Sequence, residues 1–60
     1  MTMLGLKTLQ QFVDAIQHKL GDEATLIRLA EAIRSNVAEQ PDLLGQLGLT
    51  EEQLDRFPKR

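Results

Sequence analysis

Thr25–Val37, TLIRLAEAIRSNV, carries the strongest helix signal in the chain. At about 100° per residue, Leu26, Leu29, Ala30, Ile33 and Val37 fall on one face, with Ile27 on its flank. Together they make an apolar arc of roughly 160°, wider than the ~100° stripe of an ordinary surface helix. Arg28, Glu31, Ser35 and Glu39 take the opposite side. An arc that broad needs at least two packing partners.

The first partner lies upstream. Leu6, Leu9, Val13, Ile16 and Leu20 recur in alternating steps of three and four, and Phe12 widens that seam on one side. The spacing predicts a helix over 6–20. Gly21 follows as the expected left-handed stop. Asp22 is placed as N-cap of the next helix, with Glu23 favourable at its positive end. So short a connection makes 6–20 and 23–39 antiparallel neighbours. Pro41 ends the second helix at Gln40.

Downstream the signals are shorter. Pro41 suits the first turn of a short helix over 41–46, presenting Leu43, Leu44 and Leu47. Thr50-Glu51-Glu52-Gln53 is a capping box, with Leu49 and Leu54 placed as a hydrophobic staple. It opens a helix over 51–57, supported by an i,i+4 pair of Glu52 with Arg56 and stopped by Pro58. Leu54 and Phe57 point the same way, toward the hairpin. Before the first helix, Met1–Gly5 reads as frayed, with Met3 and Leu4 available as a cap on the core.

The fold class expected is therefore all-α: a helical hairpin, a short helix and a capped C-terminal helix in a single domain. Sixty residues build a small core. Chains of this size gain stability from disulfides, metals or oligomerisation. There is no Cys and only one His, so oligomerisation is the aid left open. No apolar run approaches the ~20 residues of a membrane span, and no basic and apolar leader is visible. A cytoplasmic protein without a membrane partner is the expectation.

Few residues carry chemistry. His18 lies four residues after Asp14, a spacing that lets them meet on one helix face. Such a pair can orient a general base, but no nucleophile stands beside it, and a solvated pair fits the pattern better. No calcium loop, paired-carboxylate motif or phosphate-cradling glycine loop occurs. The reading is a non-enzymatic protein with no cofactor, metal or small-molecule substrate.

Gly48–Leu54 resembles the opening helix of a helix-turn-helix, where a recognition helix should follow. After Phe57 only Pro58, Lys59 and Arg60 remain. Taking 41–47 and 51–57 as the two helices instead puts Glu51, Glu52 and Asp55 on the reading helix, facing phosphate. The seven basic residues are spread along a chain of net charge −2 rather than gathered in a stripe. A dimer could assemble one from Lys19, Arg28 and Arg34.

The surplus apolar surface then carries the functional expectation. Either the leucine-rich tail closes a monomeric four-helix miniature, or two hairpins pair as a C2 bundle. The dimer is the easier route to a sufficient core and is the one expected. The leading function is an interaction module, such as an adaptor, inhibitor or regulatory subunit. Phe12, Ile16, Ile27, Leu29 and Ile33 are its expected interface, Leu43, Leu44 and Leu47 a second patch, and Lys19, Arg28 and Arg34 the rim. The alternative is a small dimeric DNA-binding or transcription-modulating protein.

Overall fold

The computed structural model describes Leu4–Lys59, and among these residues the regular structure is entirely helical. Helix α1 spans Leu6–Gln17, α2 Glu23–Glu39, α3 Asp42–Gln46 and α4 Glu51–Arg56. Met1–Met3 and Arg60 lie outside the described residues, so the expected capping role of Met3 falls there too. Leu4 is 36% exposed and does not serve as a plug on the core.

The Leu4 amide donates to Oδ1 of Asn36 at 3.3 Å, which ties the start of α1 to the end of α2. The short turn at 18–22 joins the other ends. The two helices therefore run antiparallel, as the short connection dictates.

Helix α1 stops three residues earlier than the apolar spacing indicates. The Lys19 amide donates to the Ile16 carbonyl at 3.2 Å and the Leu20 amide to the Ala15 carbonyl at 2.8 Å. Those two bonds form a Schellman motif. The left-handed residue is Lys19, with φ 54°, not Gly21, whose φ is 142°. Leu20 is thereby turned out of the seam and left 61% exposed, and Leu6 at the other end is 38% exposed. Leu9, Val13 and Ile16 between them are buried.

Helix α2 has the expected bounds. The Asp22 carboxylate accepts from the Thr25 amide at 2.8 Å and caps the first turn. Its buried residues are Leu26, Ala30 and Ile33. Helix α3 begins one residue later than expected, with Pro41 as its cap. It closes with a second Schellman motif, in which the left-handed residue is Gly48 at φ 71°. The capping box of α4 is complete: the Thr50 hydroxyl accepts from the Gln53 amide at 3.1 Å, and the Gln53 side chain accepts from the Thr50 amide at 2.9 Å. Phe57 caps α4 rather than continuing it.

Nine residues form the core: Leu9, Val13, Ile16, Leu26, Ala30, Ile33, Leu43, Leu49 and Phe57. The last three come from the tail, so the leucine-rich segment folds over the hairpin and supplies the second partner of α2. Ala30, in the middle of the buried face of α2, is fully buried. Helix α4 buries none of its own residues. It is held by Leu49 and Phe57 at its two ends, both buried. The Leu54 side chain is only half-buried.

Candidate interaction surfaces

Arg34 holds the tail in place. Its Nη1 donates to the Pro58 carbonyl at 3.0 Å. Its Nη2 donates to the carbonyls of Leu54 at 2.9 Å and Phe57 at 2.7 Å. The Leu54 carbonyl in the last turn of α4 also accepts from the Phe57 amide at 3.2 Å, while Phe57 and Pro58 lie just past the helix, so one guanidinium from α2 ties down the end of α4 and the turn that follows it. Arg34 is half-buried and committed to this task, so it is not available as a rim cation or a phosphate contact. Lys19 and Arg28 stay exposed.

The expected interface residues separate into three groups. Ile16, Ile33 and Leu43 are buried in the chain's own core, to which the folded tail contributes Leu43, Leu49 and Phe57. Ile27 is half-buried on the same flank of α2 as Arg34, about 20° away on the wheel. Phe12, Leu29, Leu44 and Leu47 are half-buried against the core's edge.

Phe12 and Leu29 belong to one face. With Leu4 level with Asn36 at one end and the 18–22 turn at the other, Phe12 and Leu29 lie at the same height. On the α1 wheel Thr8, Phe12 and Ala15 lie opposite Leu6 and Gln17. On the α2 wheel Leu29 and Ala32 lie opposite Ile27 and Arg34. Arg34 reaches α4, and Gln17 lines a groove with Phe57 and Pro58, so α4 occupies that side. The other side is the back of the hairpin. It presents Phe12, Ala15, Leu29 and Ala32, all half-buried. Leu20, just past the end of α1, is 61% exposed. Apolar spacing alone points to Phe12 and Leu29. It misses Leu20, because the spacing assigns that residue to the core seam.

Two grooves lie on the front. One, of about 380 Å³, runs between α2 and α4 and is lined by Arg34, Val37, Ala38, Glu51, Leu54 and Asp55. The other, of about 310 Å³, is lined by Ile16, Gln17, Lys19, Leu26, Arg56, Phe57 and Pro58.

The titratable groups are on the surface. Nδ1 of His18 lies 3.0 Å from Oδ1 of Asp14, and both side chains are 64% exposed. Arg56 pairs with Glu52 at 2.6 Å, and Lys59 with Asp55 at 2.8 Å. The hydrogen bond from Lys59, then its charge, holds the Asp55 carboxyl below the ordinary range. The bond from Thr25 does the same for Asp22. Among the described residues no group of three or more His, Cys, Asp or Glu could hold a metal ion, and no helix is long and apolar enough to cross a membrane.

The chain matches no protein-family model, and no curated protein or solved structure is detectably similar to it. The class defined by the fold is a four-helix miniature that leaves apolar surface at Leu4, Leu6 and Leu20 and in the two grooves beside α4.

Proposed function

We propose that this protein is a non-enzymatic interaction module that works by apolar docking of helix faces, and that its first partner is a second copy of itself. The observation that carries the reading is the back of the hairpin. Helix spacing puts Phe12, Ala15, Leu29 and Ala32, each half-buried, on one flank of the hairpin, and Leu20 past the end of α1 is 61% exposed. Two such faces related by a two-fold axis make a four-helix bundle of antiparallel hairpins. The alanines let the helices approach closely, and Phe12 and Leu29 supply the area. A chain of this length also gains much of its stability by sharing a core.

Duplex DNA is the weaker fit. Phosphate contacts need clustered, available cations. Arg34 is engaged with three carbonyls, and the exposed residues of α4 include Glu51, Glu52 and Asp55.

Sedimentation equilibrium at micromolar concentration tests the reading. The wild type is expected at twice its 6.8 kDa chain mass. The Phe12→Gln, Leu29→Gln double variant is expected at the single-chain mass with an unchanged far-ultraviolet spectrum. A wild type that stays at the single-chain mass overturns self-association.

A further inference from the structure

The groove beside α4, on the opposite side from the hairpin back, has a different character. Its floor is apolar: Ile16 and Leu26 from the hairpin, Phe57 and Pro58 from the tail. Its rim carries two cations, Lys19 and Arg56. That sign is opposite to the chain's net charge of −2. Arg56 is paired with Glu52, whereas the Lys19 ammonium has no carboxylate partner among the described residues.

The backbone at Lys19 adds an independent argument. The chain uses the same helix stop twice, with the same pair of hydrogen bonds. At the second, the left-handed position is Gly48, the residue that adopts φ 71° without strain. At the first, it is Lys19 at φ 54°. Glycine is the favoured residue there too. A side chain kept in a strained conformation points to a use for that side chain, and this one lines the groove.

We infer that this groove is a docking site for a partner protein's helix that inserts one bulky apolar side chain flanked by carboxylates. About 310 Å³ holds a single large side chain on an apolar floor. The Lys19 ammonium, with Arg56 beside it already paired to Glu52, selects the sign of its neighbours, and the charge acts mainly on specificity and encounter. Docking here is independent of self-association through the hairpin back, because the two surfaces lie on opposite flanks.

A pair of synthetic helical peptides tests this. Each has about 20 alanine-rich residues, past the ~12–15 below which an isolated helix is marginal in water. Each presents one leucine, with glutamates one turn to either side in the first peptide and lysines in the second. The readout is the backbone amide shifts of Ile16, Leu26 and Phe57 in the isotopically labelled full chain. The glutamate peptide is expected to move them and the lysine peptide to leave them unmoved. Lys19→Gly is expected to weaken the glutamate peptide about fivefold, the size of one exposed ion pair, while the chain stays folded. Equal shifts with both peptides, no shifts with either, or unchanged affinity in Lys19→Gly would each overturn the proposal.

Discussion

Nη2 of Arg34 lies 2.7 Å from the carbonyl oxygen of Phe57, a bond between residues 23 positions apart. With the bonds to Leu54 and Pro58 it makes one α2 side chain the cap of α4. Arg34→Ala leaves three carbonyls without that donor. Hydrogen bonds to charged groups contribute about 1.5–3 kcal/mol each when buried. Arg34 is only half-buried, so we expect a loss near the lower bound, about 2 kcal/mol. Urea unfolding followed by circular dichroism measures it. Arg34→Lys should recover only part, because an ammonium lacks the planar fork that serves several carbonyls at once. Full recovery would show that charge alone suffices.

Lys19→Gly should stabilise the fold. A non-glycine residue in the left-handed region costs about 1–2 kcal/mol, offset in part by the entropy glycine adds to the unfolded chain. A net gain of about 0.5–1 kcal/mol should raise the thermal midpoint. Gly48→Ala should move it the other way. An added Cβ at Gly48 meets nothing within 4 Å, so the loss reports backbone strain alone. If the two substitutions shift the midpoint in the same direction, the shared-motif account fails.

Ile33 and Leu9 are fully buried. Truncating such a side chain to Ala costs about 2–5 kcal/mol, and a chain of this size has about 3–5 kcal/mol to lose. Ile33→Ala should therefore be substantially unfolded at 25 °C, by circular dichroism and by loss of amide dispersion. The measurement belongs at a dilution where the chain is single, since association adds to the margin; a variant well folded there would overturn that expectation.

Acid should weaken the fold in one window. The Asp22 carboxyl titrates below its ordinary value because the folded chain supplies the Thr25 amide. The unfolded chain therefore binds more protons near pH 4. This contribution is fully present above the unfolded carboxyl range, at neutral pH included, and is lost as pH falls through the folded value. Asp22→Asn should retain the cap and flatten that part of the stability profile. A profile unchanged by the substitution removes Asp22 as its source.

The legible parts of this fold were those with local signals. Asp22 and the Thr50–Gln53 box set the starts of α2 and α4 because a cap acts within three residues. The end of α1 was not legible, since Leu20 continues the seam's spacing and a Schellman turn leaves that spacing intact. Gly21 announced a stop, but the left-handed angle falls on Lys19. Nor could the role of Arg34 be read, because its partners are carbonyls more than twenty residues away in the case of Phe57 and Pro58. Its one local trace is a position seven residues from Ile27, about 20° away on the wheel and on the flank that α4 covers. The burial of Ile33 and Leu43 likewise depended on where the tail lands.

Helix α4 encloses no side chain of its own, so its amides should exchange with solvent through a small local opening. That opening breaks the Arg34 bonds and withdraws Phe57, while α1 and α2 stay intact. The same motion dismantles one wall of the groove, which is built from Arg56, Phe57 and Pro58. A bound helix would therefore slow deuterium uptake in α4 in proportion to its occupancy. The protection of the Leu54 amide, bonded to the Thr50 carbonyl at 3.0 Å, becomes a gauge of whether that door is shut.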